Sequence, residues 1–420
     1  MAARWCAEPR IRAGPGLCSP RRSEPESGPA PTYPGSVTAI LNWNRAATSA
    51  DPAPGVAEAM IEGLHAVDPA RGAGLASARR EQVRDAAARL FGWSAPERVV
   101  FTSGATYGLN QAVRAIPEGA FVVASELEHN AALRPLEAAR AAGRLELSFA
   151  RFDPSGMVQL PELEAAFAAR GEREAWLFLA LASNVLGTLQ PVEEIASWCQ
   201  ARGVHLVLDL SQGAGQVPIA LDRWKPRFAA VAAHKGLHGP QGIGILFVDA
   251  DAPLAPLVHG GTGRHGEQLD PPRALPGCLE AGTPNMPGIY GLGAALSWRL
   301  EHPADLTAAR EALAWVETGL RADPRVQVLP REAPPWEQRL PVLSFVAPGI
   351  PSAVLAAELA QQGILVRAGL MCAALASQAA GVTEAEGVVR LSPPESTQME
   401  DAERVLAAIL QTLSLFAPAS

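Results

Sequence analysis

Lysine is almost missing from this chain. Only Lys225 and Lys235 occur among 420 residues, against 33 arginines. Lysine is ordinarily a surface residue, and a chain that has given that task to arginine leaves each remaining lysine to be explained. Cysteine is also scarce and poorly spaced for a shared role. Cys6, Cys18, Cys199, Cys278 and Cys372 make an odd count and no C-x-x-C pair. This disfavours a disulfide framework or a zinc knuckle and suits a reduced, cytoplasmic setting. No apolar run reaches the roughly 18 residues of a membrane-spanning helix, so no membrane partner is expected. Positive charge is not in excess: the net charge is -8, which makes nucleic acid an unexpected partner. What the chain does have is apolar material for a large core, with 48% hydrophobic residues, and a length that suggests a large domain plus a smaller one.

Residues 1–36 are rich in Pro, Gly, Ser, Arg and Glu without apolar periodicity, and are expected to be disordered. A targeting peptide fits less well, because there is no apolar centre and Glu8, Glu24 and Glu26 interrupt the pattern. From Ser77, taken as a helix cap, helical and strand patterns alternate. Short apolar runs at Val99 to Phe101, Ala120 to Ala124, Leu145 to Ala150, Trp176 to Leu181, Val204 to Leu208, Phe228 to Ala232 and Ile243 to Val248 predict strands. The helix predicted at Val192 to Arg202 is closed by Gly203. Near-continuous apolar strands between amphipathic helices predict an α/β protein with a mostly parallel sheet covered on both faces. After about residue 300 the pattern becomes α+β, with helices at 304–321, 351–362 and 399–415 and strands at 325–329, 341–346 and 387–391. The division is then 37–300 for an N-terminal segment with the large domain and 301–420 for a small C-terminal domain.

In such sheets ligands bind beyond the carboxyl ends of the strands, and the polar residues expected there are distinctive. Ser103, Gly104, Ala105 and Thr106 follow a strand and open a helix, a place where free amides and the positive dipole end suit a phosphate. A plain capped turn accounts for them equally well. Asp209 ends the VHLVL run. An isolated Asp there is more often a cap or a loop ion pair, but a carboxylate can also keep a pyridine nitrogen protonated. Lys235 follows FAAVAA within AHKGLHGP, where desolvation would lower its pKa as a Schiff-base lysine requires. His129 follows another strand, where an imidazole could stack on a planar ring.

Taken together these stretches resemble the class V aminotransferase family, within it the cysteine desulfurases, and most nearly a branch carrying GGTG and RAGLHCA motifs. The matching segments are NRAAT at 44–48, FTSGATYGLN at 101–110, EHN at 128–130, SNVLGTLQP at 183–191 and LDLSQGAG at 208–215. AHKGLHGPQGIG at 233–244, GGTG at 260–263, EAGTPN at 280–285, VRAGLMCA at 366–373 and Arg390 in VRLSP follow in the family's order. The resemblance spans roughly residues 37–415. It implies pyridoxal-phosphate (PLP) fold type I and a homodimer. It implies that Lys235 binds the cofactor covalently, that Asp209 pairs with the ring nitrogen, that Gln212 bonds the ring hydroxyl and that His129 stacks on the ring. Ala105 and Thr106 would supply phosphate donors with His234 beside them, and Thr283 would reach the partner subunit's phosphate. Asn184 would approach ring and substrate. Arg390 would clamp a carboxylate bidentately, which Arg does and Lys does not. Cys372 would be the thiolate that takes sulfur from L-cysteine, leaving L-alanine and a persulfide for an acceptor protein.

The departures from the family cluster around the substrate. Met371 stands where His is expected, Tyr107 where Glu is usual, Gly74 where His is frequent, and Ala232 and Ala233 where Ser or Gly is common. Pro393 to Ser396 lack an aromatic-Asn pair. Alternatives within the same cofactor chemistry are an aminotransferase, a selenocysteine lyase, or another lyase or epimerase. From a different class comes a weakly catalytic PLP-binding protein that acts through interactions. The fold does not separate them.

Overall fold

The computed structural model describes residues 40–67, 74–262, 269–270 and 272–416. The stretch 1–36 and Gly263, the end of the GGTG motif, lie outside them. The apolar runs become a seven-stranded sheet: β1 (Val99–Thr102), β2 (Ala120–Ser125), β3 (Leu145–Ala150), β4 (Ala175–Ala180), β5 (Val204–Asp209), β6 (Phe228–Ala232) and β7 (Gly244–Val248). Their spatial order is β1-β7-β6-β5-β4-β2-β3, and only β7 runs against its neighbours. Every residue of β1, β2, β4, β6 and β7 is buried. Alternation shows how: Leu177 and Leu179 of β4 join one apolar cluster, while Trp176 and Phe178 join another on the opposite face. That is the covering on both faces that the continuous apolar runs predict.

Boundaries moved by a few residues. The helix expected to start at Ser77 begins at Leu75 after Gly74, and Ser77 instead accepts a hydrogen bond from Arg80 inside the helix. β5 extends one residue further than expected, so Asp209 is its last member, paired in register with Ala180. Gly203, at φ 62°, ends the helix Val192–Arg202 as expected.

β1 lies at an edge of the sheet, yet its outward backbone groups are satisfied. Arg84 donates to the Val99 carbonyl, Glu280 accepts from Phe101 N at 2.6 Å, and the two side chains pair at 2.8 Å. An ion pair with its arginine buried thus covers one carbonyl and one amide of the open edge.

A second sheet holds β8 (Gln327–Leu329), β9 (Leu343–Val346), β10 (Arg367–Gly369) and β11 (Val388–Leu391) in the antiparallel order β10-β11-β9-β8. The helices Thr307–Arg321, Ser352–Gln361 and Met399–Leu415 share its core. The start of the described chain is stitched to this part: Leu41–Asn42 pairs in parallel with Ile364–Leu365, and Trp43 is buried in the same core.

The carboxyl ends of β2 and β4 flank the point where the strand order reverses, which opens a crevice. Glu128 lies just after β2, beside this crevice. Its Oε1 accepts from Ser125 Oγ and from Ala180 N, each at 2.7 Å, and so joins the two strand ends. Oε2 is buried without a partner. Burial pushes the Glu128 carboxyl up to about 8, and the nearby Asp209 charge acts in the same direction, while the two hydrogen bonds oppose. The carboxyl is therefore held neutral at neutral pH. Because its pKa is raised on folding, the native state binds the extra proton between pH 4.5, the ordinary value, and about 8. Native stability falls across that window as pH rises. Glu128→Gln keeps the accepting oxygen and removes the titration. Its stability relative to the native protein should rise by about 1.4 kcal/mol per pH unit through the window and then level off. Thermal unfolding of both proteins at pH 5.5, 7 and 8.5 measures this, and a difference independent of pH would show that Glu128 is ionised in the native state.

Candidate active site

The crevice contains a cavity of about 450 Å³ with Thr106, His129, Asn184, Asp209, Gln212 and Lys235 among its walls. One end is built by the turn from β1 into the helix Ala105–Ala115. The first bond of that helix runs from Gly108 N to Gly104 O, leaving the amides of Ala105, Thr106 and Tyr107 outside the helical ladder. The turn is seated directly on β7. A Cβ on Gly244 would come within 2.7 Å of Gly104 Cα and 2.6 Å of Val231 O, so only glycine lets the two backbones approach. Three free amides, the Thr106 hydroxyl and the helix dipole make an anion cradle.

Lys235 lies in the turn after β6. Burial lowers its pKa below the ordinary value. Asp209 opposes this, Arg390 reinforces it and Cys372 opposes it. Three residues far apart in sequence therefore act on one amine. Asp209 is buried at the end of β5, and its Oδ1 accepts from Ser211 N at 2.8 Å. Among the described residues it has no ion pair, so the loop salt bridge that a bland reading would give it is not there. Gln212 donates to Ala46 O at 2.9 Å. His129 caps the helix Asn130–Ala141, with Nδ1 accepting from Ala131 N at 3.0 Å. Burial lowers the His129 pKa, with Lys235 adding to the effect and Asp209 opposing it. The ring is thus neutral, with its proton on Nε2. His234 is fixed by Thr48, whose Oγ1 lies 3.0 Å from His234 Nδ1 and donates to the His234 carbonyl at 3.2 Å.

Cys372 is exposed, on a turn between β10 and the helix Ala374–Ala379. Met371 and Cys372 both have φ 54°, an uncommon pair of left-handed residues. The turn is pinned on both sides. Asn184 Nδ2 donates to Met371 O at 2.7 Å, and Asn130 N donates to Cys372 O at 2.8 Å. The cysteine loop is therefore fastened to the residue after His129 and to a wall of the cavity. Arg390, on β11, is buried and donates to Asn184 O at 2.9 Å and Asn44 Oδ1 at 3.3 Å. It has no carboxylate partner among the described residues, and its Nε is buried unpartnered. Burial, with help from Arg367, brings its pKa down to about 10, still charged at neutral pH. A buried guanidinium without an anion is costly unless one arrives.

The structure thus gathers Ala105, Thr106, His129, Asn184, Asp209, Gln212, His234 and Lys235 around one cavity. Arg390 and Cys372 stand beside it, linked through Asn184 and Met371 rather than forming its wall. Thr283 is exposed and outside it. Sequence reasoning did not single out Thr48, which ends the NRAAT match, or Ser211. It also passed over Glu128, whose only sequence signal is its place beside His129. Among the departures, Met371 is buried in the apolar cluster, Tyr107 and Ala232 line the cavity, and burial raises the Tyr107 pKa so that its phenol stays protonated. The residues fit PLP: an anion cradle at one end, a buried amine of lowered pKa, a carboxylate at a strand end, and a neutral imidazole on the cavity wall.

Comparisons with known proteins point to one family. The aminotransferase class-V family profile matches residues 44–405. A probable cysteine desulfurase of Pseudomonas aeruginosa is 34% identical over 334 residues, covering 76% of this chain and 79% of that protein. A cysteine desulfurase of Cereibacter sphaeroides is 31% identical over 360 residues, covering 82% and 86%. Among solved structures, the apo cysteine desulfurase of Thermococcus onnurineus superposes with a TM-score of 0.80 at 25% identity, covering 90% of this chain and 95% of that one. With the motif order, the sheet topology and these likenesses in hand, the chain belongs to the class-V aminotransferases, a family of PLP-dependent enzymes.

Proposed function

We propose that the protein is a cysteine desulfurase: it takes L-cysteine, releases L-alanine and keeps the sulfur as a persulfide on Cys372 for an acceptor protein. The observation that carries this reading is the joint action of Asp209, Arg390 and Cys372 on the Lys235 amine, which puts a cofactor anchor, a carboxylate clamp and a thiol within electrostatic reach of one another. When bound, PLP supplies the electron sink for the substrate carbon. Lys235 would hold it covalently, Asp209 would hold the ring-nitrogen proton, Gln212 would bond the ring hydroxyl, and the 105–106 turn with His234 nearby would take the phosphate. Arg390 binds the substrate carboxylate, which satisfies its orphaned Nε, and Asn184 places substrate and clamp together. The Lys235 amine, in the cavity wall, would also carry protons at the substrate carbons.

The Cys372 thiolate attacks the substrate sulfur. The new S–S bond forms as the C–S bond breaks, its electron pair stays on carbon, and a proton completes the methyl group of alanine. Turnover is expected to be slow, because position 371 offers a buried methionine and no imidazole to take the thiol proton. That same observation favours the second reading, in which the site performs another PLP reaction, such as a transamination or a lyase cleavage, without sulfur transfer. The protein acts as a homodimer in this proposal, with exposed Thr283 serving the partner's phosphate site.

Lys235→Ala should abolish covalent cofactor attachment. Borohydride reduction and peptide mapping of the native protein should place the pyridoxyl label on Lys235, and a label on Lys225 would overturn the assignment. Asp209→Ala in the same series should fold, show an altered cofactor spectrum and lose roughly a hundredfold or more in kcat; near-normal turnover would mean that another group serves the ring nitrogen. Sedimentation of the holo-protein at micromolar concentration should report a dimer, against which a monomer that binds PLP tightly would count. Cys372→Ser separates the two chemical readings. It should keep the cofactor spectrum and still respond to L-cysteine, yet form no alanine. Wild-type alanine or keto-acid production by this variant would replace the desulfurase reading with the second.

A further inference from the structure

The turn that carries Lys235 follows a strand of one sheet, the strand that carries Arg390 belongs to the other, and a half-buried ion pair joins them. Arg299, on the helix Met286–Glu301 and 2% exposed, donates from Nη2 to the carbonyl of Gly236, the residue after Lys235, at 3.1 Å. The same guanidinium grips Glu395 at 2.9 and 3.4 Å. Glu395 lies five residues beyond Arg390, in the Pro393 to Ser396 segment that departs from the family pattern. Its carboxyl, although burial raises its pKa, is held below the ordinary carboxylate range by His238 and Arg299. His238, three residues after Lys235, brings Nε2 to 3.7 Å from Glu395, and its Nδ1 lies 2.9 Å from both Ser49 Oγ and Asp51 O.

On the other side the N-terminal segment is tied to both parts. Arg45 N donates to Ser392 O at 2.9 Å, Ser49 N to His234 O at 2.7 Å and Ala53 N to His238 O at 2.8 Å. There is no slack at the turn itself, since a Cβ on Gly236 would lie 2.6 Å from Ala214 O. The Glu395–Arg299 pair is therefore the side-chain closure of a belt whose other half is backbone.

We propose that Arg299 and Glu395 are positioning residues that set the separation of Lys235 from Arg390, and so the affinity for the amino-acid substrate. This rests on the reading that Arg390 holds a carboxylate. Neither side chain is assigned contact with the substrate. Their action is to stop the Arg390 strand from shifting against the Lys235 turn, because a clamp displaced by even an ångström presents the amino group badly.

The test uses the holo-protein, with L-cysteine and L-alanine titrated against the cofactor absorbance, so that affinity is read whether or not sulfur is transferred. Glu395→Gln preserves shape and removes the charge. It should bind PLP as the native protein does and weaken both amino acids about tenfold, the worth of one charged hydrogen bond. Glu395→Asp should recover part of that loss. With Arg390→Lys the amino acids bind weakly already, and adding Glu395→Gln should change little. Native affinity in Glu395→Gln, or an equal further loss in the Arg390→Lys background, overturns the proposal. So does a fall in thermal stability or PLP binding with amino-acid affinity unchanged, which would make the pair merely structural. A native protein whose spectrum answers neither amino acid overturns the amino-acid reading and the proposal with it, whereas a response to L-alanine without desulfuration overturns the sulfur chemistry alone.

Discussion

Everything around the cavity depends on keeping one amine out of water. Burial lowers the proton affinity of Lys235, and the charges of Asp209, Arg390 and Cys372 set where it settles. Burial shifts the balance toward the uncharged amine that a nucleophile needs, whereas a surface lysine would remain a solvated cation. The cost is that the neighbouring charges must be placed by the fold rather than by solvent. Asp209 is fixed because it ends a central strand and its carboxylate accepts a backbone amide. Arg390 is fixed because its strand is central in the second sheet and two of its nitrogens are already bonded.

The same constraint bears on the buried polar groups at the carboxyl ends of the strands. Glu128 remains neutral while Asp209 lies close by, an arrangement in which two like charges do not have to coexist. His129 is kept neutral by burial and by the Lys235 charge, and its proton is directed to Nε2 by a backbone donor on the other nitrogen. Among the buried side-chain atoms of the described residues that lack a partner, Arg390 Nε belongs to the side chain bonded to Asn184, beside the cysteine turn. An orphan in that position has a natural complement in a carboxylate.

Substitutions at family positions acquire physical meaning once burial is known. Met371 is packed in the main apolar cluster, where an imidazole would need a buried partner, and only its carbonyl reaches Asn184. Glu395, in the segment that departs from the family, faces His238 of the matching AHKGLHGP run, and Arg299 completes the contact. The N-terminal segment, read from sequence as an approach to the large domain, contributes Trp43 to the core of the second sheet and Thr48 to the fixing of His234.

The sequence by itself determined the layers of the protein and the identity of its anchor. Continuous apolar runs separated by amphipathic helices leave little choice but a sheet covered on both faces, and the burial of β1, β2, β4, β6 and β7 follows from that pattern. Near-absence of lysine made Lys235 conspicuous, and the order of motifs supplied its companions. Where local preference was the only signal, as at Ser77, the boundary shifted, because a hydroxyl inside a helix can bond a neighbouring side chain as readily as it caps. Tertiary structure alone decided three things. It pinned Cys372 on a strained turn against Asn130 and Asn184. It left Arg390 buried without an anion. It brought Glu395 to Arg299 and the Lys235 turn. These contacts join residues on average more than a hundred positions apart, and no local periodicity encodes them. They exist because the second sheet and the N-terminal segment pack beside the cavity that the large sheet lines, and only that packing sets which charge meets which.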